Sequence, residues 1–170
     1  MNAHNVSYTG CDWNMVCNKH KAKLKEKGIE ADKLNFVTNS RGNYTWTLFE
    51  LIEARRLFDV IYLDGSHTFY VDCPAAILAH HLLKSGGMLV LDDISWNLKD
   101  LASNMRRNFH EWYFYRRMYR FEEYTEEQQK KCHIRMIAEE LMIKRLKYRK
   151  IEKYSIGDSV WTLEKLHADN

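Results

Sequence analysis

The sequence predicts an α/β fold whose sheet is mostly parallel and ends in a C-terminal antiparallel hairpin. Short apolar segments alternate with longer stretches in which apolar residues recur at helical spacing. Two of the apolar segments end directly in aspartate, and the last part of the chain contains two strand-like segments around a Gly-Asp turn. The 170 residues suffice for a packed core, so we expect a single domain over residues 1–170.

The first elements are predicted from local signals. A weak strand over residues 5–11 precedes a helix over residues 14–27, which Gly28 ends. A short strand over residues 34–37 follows. Asn43 or Thr45 then begins a helix that carries Leu48, Leu51 and Ile52 on one face.

The clearest strand is the apolar run over residues 58–64, which ends in Asp64. A near-continuous apolar run is typical of a central parallel strand, so we expect it to be buried on both faces. Asp72 and Pro74 favour a helix start, with the proline in the first turn. That helix leads through Gly86 and Gly87 to a second buried strand over residues 88–91.

The remainder of the chain is predicted to be helical over residues 98–146, with a break at Tyr124 and Thr125. Thr125 and Gln128 have the spacing of a capping box. Residues 148–154 and 159–166 are the two strands of the predicted hairpin.

Composition narrows the class of protein. No segment approaches the roughly 20 apolar residues of a membrane span, and the N-terminus has no signal-peptide pattern. The four cysteines include no C-x-x-C pair, so reduced thiols are the simpler interpretation and we expect a cytoplasmic protein without membrane contact.

Acidic residues follow both apolar strands: Asp64 after the first, and Asp92 and Asp93 after the second. In an open α/β sheet, ligands bind beyond the carboxyl ends of the strands. Three carboxylates there need a positive partner, and oxygen ligands favour a hard cation such as Mg²⁺. The alternative is that these residues cap loops or helices; the adjacent pair favours function, whereas a single aspartate would favour capping.

Two further residues have open interpretations. His67, in the loop after Asp64, is a candidate general base or a structural loop histidine, with neither favoured. Asp12 can bind ribose hydroxyls at the end of its strand or cap the helix that follows, and by itself it favours capping.

The run from Phe58 to His67, followed by the run from Leu82 to Asp93, resembles the class I S-adenosylmethionine-dependent methyltransferases. It is most similar to small-molecule O-methyltransferases with an "IDG-x-H … GG … DD" signature. Ser85 replaces the usual proline. The resemblance covers residues 8–166 and is strongest before Trp96.

The resemblance implies a Rossmann-like sheet, S-adenosylmethionine as cofactor and Mg²⁺ in metal-dependent members. It implies His67 and Asp64 as catalytic residues and Asp64, Asp92 and Asp93 as metal ligands. It places the cofactor against a set of loop residues at the strand ends: Asp12 at the ribose, Asn39 and Ser40 at the adenine, and Asp64 with Gly65 at the methionine end.

The sequence departs from the family at its start. The family opens with a strand and a Gly-x-Gly-x-Gly loop before the ribose acid, and the eleven residues before Asp12 supply neither. We therefore expect a partial methyltransferase domain: a fragment, a chain completed by a partner or homodimer that covers the open sheet edge, or a member that no longer catalyses.

Three functions remain at this stage. The favoured one is methylation of a hydroxyl of a small molecule or sugar. The second is a non-catalytic subunit or scaffold. The third is an RNA-associated protein, suggested by the Arg- and aromatic-rich segment 105–120, for which an amphipathic helix is the favoured alternative.

Overall fold

Parallel strands joined by helices organise the chain in both of its units. The computed structural model describes residues 7–30, 34–39, 44–105 and 119–167. It divides into two compact units, Met1–Arg55 and Arg56–Asn170. The first unit has two strands and two helices: β1 Thr9–Trp13, α1 Asn14–Glu26, β2 Asn35–Asn39 and α2 Tyr44–Glu53.

In the first unit, β1 and β2 pair in parallel, from Thr9 opposite Asn35 to Trp13 opposite Asn39. The predicted helix of residues 14–27 is confirmed, and both strands lie within a few residues of their predicted positions. Leu48 and Leu51 are buried together with Thr47, so α2 presents the predicted apolar face.

The second unit begins with a parallel βαβ unit and ends in the predicted antiparallel hairpin. Its strands are β3 Phe58–Leu63, β4 Leu83–Leu91, β5 Tyr148–Lys150 and β6 Trp161–Lys165. Its helices are α3 Phe69–Leu82, α4 Leu98–Met105, α5 Glu126–Gln129 and α6 His133–Met136, which continues as a π-helix over Ile137–Ile143. Two short 3₁₀ turns, Phe121–Glu123 and Glu152–Tyr154, complete it.

The sheet of this unit has the strand order β3-β4-β6-β5, in which β3 and β4 are parallel and the other pairs antiparallel. Leu89 of β4 and Leu163 of β6 are opposite each other and fully buried. On α3, small residues are buried almost completely: Ala75, Ala76 and Ala79. Their size lets the helix approach the sheet closely, which fixes where its N-terminus lies.

One expectation about β3 is wrong. The strand is not buried on both faces: Val60 and Tyr62 are 49% and 55% exposed, although Leu63 is buried. Among the described residues β3 pairs only with β4, so it lies at an edge of its sheet. An apolar run shows that the side chains are hydrophobic, but the tertiary structure decides whether neighbouring residues bury them.

Two boundaries of the βαβ unit also differ from the prediction. Helix α3 begins at Phe69, with Thr68 as its N-cap residue, so Pro74 lies in the second turn. The helix ends at Leu82 and β4 starts immediately. At this junction the Lys165 ammonium donates to the carbonyl oxygens of His80 and Leu83 at 2.7 and 3.0 Å. This cation satisfies carbonyl groups that the end of a helix leaves open.

The predicted helical segment 98–146 is a series of short helices in its described parts, and the Thr125–Gln128 capping box is confirmed. The Arg- and aromatic-rich segment lies almost entirely in 106–118, outside the described residues, as does Ser40. None of the helices that are described has both the length and the apolar character of a membrane span.

Candidate active site

The acidic residues predicted to meet at the carboxyl ends of two strands do meet there. Leu63 and Leu91, the last residues of β3 and β4, are paired in the parallel register. Asp64 and Gly65 therefore leave the sheet beside Asp92 and Asp93. The Asp92 amide continues the ladder by donating to the Leu63 carbonyl at 3.2 Å.

Three side chains form a compact group at this edge, which we call the Asp–His–Asp cluster: Asp64, His67 and Asp93. His67 Nε2 lies 3.3 Å from Asp93 Oδ2 and 3.9 Å from Asp64 Oδ1. All three ligand atoms lie within 4.8 Å of one another. The side chains are 55%, 13% and 26% exposed, so the cluster opens to solvent on the Asp64 side.

The loop that carries His67 is held by the first turn of α3. The buried Asp72 carboxylate accepts hydrogen bonds from the amides of Ser66 and Thr68 at 3.3 and 2.8 Å, and from the Ser66 hydroxyl at 3.4 Å. His67 lies between these two anchored residues with a φ of +58°, a conformation that non-glycine residues seldom adopt. Asp72 thus helps to fix the backbone that directs the imidazole toward the acids.

Trp96 covers the imidazole from the other side. Its ring lies 5.3 Å from the His67 ring, centroid to centroid, and its amide donates to the Asp93 carbonyl at 3.0 Å. His67 Nδ1 is buried, and no hydrogen-bond partner for it occurs among the described residues. Packing and backbone conformation, rather than a hydrogen bond to Nδ1, therefore hold the ring.

Asp92 and Asp93 are adjacent but face different partners. The Tyr62 hydroxyl donates to Asp92 Oδ2. Asp92 Oδ1 accepts the Asp93 amide at 2.8 Å. Asp93 has a φ of +51° and directs its carboxylate to His67. Of the three predicted metal ligands, the structure groups Asp64 and Asp93 with His67 and engages Asp92 with Tyr62.

Burial and like charge determine the electrostatics. Burial raises the pKa of Asp93, His67 opposes that rise, and the neighbouring acids Asp92 and Asp64 add to it. The pKa of Tyr62 is raised by burial and then by its hydrogen bond to Asp92, so the phenol keeps its proton and donates it. An edge of this kind favours positive charge. Its carboxylates thus fit a metal ion or the cationic methionine end of S-adenosylmethionine.

A small cleft lies beneath this edge, with a volume of about 10 Å³. That is room for about one water molecule. The cleft is lined by residues from the ends of β3 and β4, from α3 and from the helix that continues as the π-helix: Leu63, Gly65, Asp72, Leu91, Asp92, Ile134 and Ile137. The cleft is therefore too small to hold a substrate or a cofactor.

In the first unit, Asp12 and Asn39 lie at the same end of the parallel pair, since Asp12 is opposite Thr38 and Trp13 opposite Asn39. Asp12 Oδ1 accepts the amide of Trp13 at 2.6 Å. Trp13 is the N-cap residue of α1 and makes no side-chain capping bond. Asp12 therefore does not cap that helix in the usual way, which was the alternative to a ligand-binding role.

Sequence reasoning missed three residues of the site: Tyr62, Asp72 as a loop anchor, and Trp96. The alternation of β3 contains a signal for Tyr62, because a tyrosine two residues before Asp64 lies on the same face of the strand as that aspartate. Asp72 was assigned only to the start of a helix. Trp96 carries no sequence signal, since its contact depends on the turn that follows Asp93.

No protein-family model matches the sequence, and no curated protein matches it either. Solved structures do. An O-methyltransferase family protein from Burkholderia thailandensis superposes with a TM-score of 0.62 at 13% identity, over 97% of this chain and 45% of that one. The O-methyltransferase TomG from Streptomyces achromogenes, in complex with S-adenosylmethionine, gives 0.55 at 14% identity, over 97% and 64%.

An O-methyltransferase from Bacillus cereus, in complex with S-adenosylhomocysteine, gives a TM-score of 0.55 at 10% identity, over 95% of this chain and 63% of that one. The chain thus spans about half to two thirds of the length of these proteins. At such low identity the similarity is one of fold, and it agrees with the parallel βαβ unit and antiparallel hairpin described above. The chain has the Rossmann-like fold of the class I, S-adenosylmethionine-dependent O-methyltransferases.

Proposed function

We propose that this chain takes part in the transfer of a methyl group from S-adenosylmethionine to a hydroxyl group of a small molecule or sugar. The observation that carries the proposal is the Asp–His–Asp cluster at the carboxyl ends of β3 and β4. The fold supports it, and two of the similar structures are complexes with S-adenosylmethionine or S-adenosylhomocysteine.

Bound S-adenosylmethionine supplies a methyl group activated on a positively charged sulfur. The exposed Asp64 carboxylate and the Gly65 backbone at the end of β3 are suited to its cationic methionine end. In the first unit, Asp12, Asn39 and Ser40 stay as predicted ligands of the ribose and the adenine.

The cluster is suited to prepare the acceptor. Methyl transfer forms an oxygen–carbon bond, breaks the sulfur–carbon bond and releases the hydroxyl proton. The acceptor hydroxyl binds on the open side of the cluster, which removes that proton and stabilises the oxygen anion as it forms. Asp72 and Trp96 hold His67 in place, so the geometry exists before the substrate binds.

A second chain is part of this proposal. Strand β3 has a neighbour on only one side among the described residues, and Val60 and Tyr62 are exposed on one of its faces. An open strand with exposed apolar side chains favours contact with another chain. We propose that a partner, or a second copy of this chain, covers that edge in the active protein. The alternative is a non-catalytic subunit. Such a subunit would also bind a partner chain at β3, but it would not need the Asp–His–Asp cluster.

Cofactor binding is the first test. Calorimetry of the full chain with S-adenosylmethionine should show micromolar affinity, and Asp64→Asn should weaken it because a carboxylate beside the cationic end is lost. Asp59→Asn, at the start of β3 and paired with Lys84 on the surface, is the matched control. No binding by the wild type at millimolar cofactor would overturn catalysis by this chain alone and favour the non-catalytic subunit.

Acceptor transfer is the second test. Labelled methyl groups should pass from the cofactor to hydroxylated aromatic or sugar compounds in a screen. His67→Asn should abolish transfer while leaving cofactor affinity nearly unchanged, because asparagine tolerates the positive φ of this position. Equal transfer by the variant and the wild type would remove His67 from the mechanism.

A further inference from the structure

We propose that Arg135, Lys150 and Trp161 form a binding site for an oxyanion, which is either a free phosphate-like anion or the phosphate or carboxylate group of a larger ligand. None of these residues belongs to the Asp–His–Asp cluster, and the site goes beyond the proposed function without resting on it. The observation behind it is a group of hydrogen-bond donors, two of which are buried without an acceptor among the described residues.

The three side chains meet around one indole ring. Trp161 is the first residue of β6, opposite Leu91 at the end of β4, and it is only 8% exposed. Nζ of Lys150, at the end of β5, lies 4.2 Å from the centre of the Trp161 ring. Cζ of Arg135, in α6, lies 5.5 Å from the same ring centre. Three separate elements therefore bring two cations against one buried aromatic side chain.

The site contains donors that are buried and unsatisfied. Trp161 Nε1 and Arg135 Nε are both buried, and neither has a hydrogen-bond partner in the part of the chain that the structure describes. A buried donor without an acceptor costs free energy, so it indicates a ligand or a water molecule that completes it. The indole N–H, the guanidinium and the ammonium all donate and cannot accept. A group rich in acceptor oxygens is therefore the complementary ligand.

One edge of the Arg135 guanidinium is only half used. Its Nη2 donates to Asp158 Oδ1 at 3.0 Å, whereas Nε, on the same edge, is unpaired within the described ranges. A carboxylate or a phosphate binds such an edge through two parallel hydrogen bonds, one to each nitrogen. Asp158 is 78% exposed and is bonded to Nη2. An oxyanion that displaces it can thus satisfy both nitrogens of the edge.

The charges at the site favour an anion over a neutral water molecule. Arg135 and Lys150 place two positive charges beside the indole ring, and their side chains are 34% and 24% exposed, so an anion can approach them from solvent. Their acidic partners, Asp158 and Glu152, are both 78% exposed, and solvent weakens such ion pairs. A water molecule adds two further donors, whereas a carboxylate or a phosphate presents several acceptor oxygens.

The test is nuclear magnetic resonance of the full chain labelled with nitrogen-15, titrated with inorganic phosphate at constant ionic strength. The Trp161 indole resonance, assigned by its absence in Trp161→Phe, should shift downfield in a saturable way because Nε1 gains a charged acceptor. Chloride at the same ionic strength should leave it in place. No saturable shift at millimolar phosphate, or an equal shift with chloride, would overturn the proposal and leave buried water as the partner of these donors.

Variants identify the donors, with the backbone amides of β5 and β6 as reporters of affinity. Arg135→Lys keeps the positive charge but loses the two-nitrogen edge, so phosphate affinity should fall by about tenfold or more. Trp161→Phe keeps an aromatic ring and loses the N–H, and it should weaken binding to a similar extent. Asp158→Asn should strengthen binding, because it removes a carboxylate that competes for the same edge.

The matched control is Arg149→Gln. Arg149 lies next to Lys150 on β5, is 64% exposed and pairs with Glu164, so its loss should change phosphate affinity by less than about threefold. Equal losses in Arg149→Gln and Arg135→Lys would reduce the binding to general attraction by surface charge and would overturn the site. A dispersed amide spectrum of each variant verifies that it is folded.

A second set of probes identifies the source of the anion. Phenyl phosphate and benzoate present the same groups on a larger molecule. If the anion belongs to a larger ligand, these should bind at least about tenfold more tightly than inorganic phosphate and acetate, because the ring is buried too. Equal affinities would assign the site to a free anion. Calorimetry with S-adenosylmethionine needs none of these anions, so failure of this site is distinguishable from failure of the proposed function.

Discussion

Asp72 shows how one residue can position a site without belonging to it. Its carboxylate satisfies two amides and a hydroxyl in the loop that carries His67, and it is only 4% exposed. The loop would otherwise leave buried amides without acceptors, which costs free energy. The conformation of His67 therefore depends on an acid five residues further along the chain.

We predict that Asp72→Asn lowers the free energy of unfolding by about 1–3 kcal/mol, because the amide replaces an acceptor oxygen with a donor that faces other donors. Urea unfolding of the full chain measures the change. Asp59→Asn, which removes only an exposed ion pair with Lys84, should change stability by less than about 1 kcal/mol. Equal losses in the two variants would refute the anchoring role.

At the scale of elements, a buried histidine joins the C-terminal helices to the start of α3. His133 Nδ1 accepts the Phe69 amide at 3.1 Å, and Nε2 lies 2.9 Å from the Gln128 carbonyl, to which it donates. The bond from the Phe69 amide requires the neutral ring, because a protonated Nδ1 cannot accept a hydrogen bond. Burial lowers the pKa of His133, and its hydrogen bond to Gln128 and the charge of Asp72 oppose that shift only in part.

This histidine should make stability depend on pH. Because the folded pKa lies below the unfolded value of 6.5, the unfolded chain takes up a proton first as pH falls. The contribution of neutral His133 to the free energy of unfolding is thus complete above pH 6.5, and it is lost as the pH falls toward the folded pKa. Between pH 7.5 and 5, we expect the wild type to lose more unfolding free energy than His133→Asn, measured by urea titration. The exposed His20→Asn should behave as the wild type, and identical slopes in all three would contradict the prediction.

Strand β4 is the central support of the site, since it lies between β3 and β6. Leu89 is fully buried on its inner face. Leu89→Ala should lower the free energy of unfolding by about 2–5 kcal/mol, because it removes buried methyl groups and leaves a cavity. Val90→Ala, at the half-buried neighbouring position on the other face, should cost less than half of that. Chemical denaturation compares the two, and a greater cost at Val90 would show that the sheet packs differently.

At the scale of the molecule, β3 ends the sheet of the second unit among the described residues and exposes Val60 and Tyr62. If a second copy covers it, sedimentation velocity should show a concentration-dependent dimer or larger species at micromolar protein. Val60→Asp should shift it toward monomer, since a charge replaces an apolar side chain that is 49% exposed in this chain. Ile156→Asp, in the turn of the hairpin and 67% exposed, is the control. If the wild type is a monomer at every concentration, a second copy of this chain does not cover β3, and the partner has to be a different protein.

Signals that act over a few residues were sufficient for much of this protein. The alternation of apolar and amphipathic segments determined the α/β class. Short local motifs determined the Thr125–Gln128 capping box and the hairpin around the Gly-Asp turn. The aspartates after two apolar runs marked the edge where the candidate site lies. These features could be predicted because each depends on neighbours in the sequence and on the spacing of helices and strands.

Only the tertiary structure decided what surrounds those residues. It placed His67 with Asp64 and Asp93, engaged Asp92 with Tyr62, and made Asp72 an anchor of the loop. It also left one face of β3 exposed where the sequence predicted burial. The physical reason is the same in each case: hydrogen bonding and burial depend on groups that are distant in the chain, and an apolar run or a pair of acids contains no record of them.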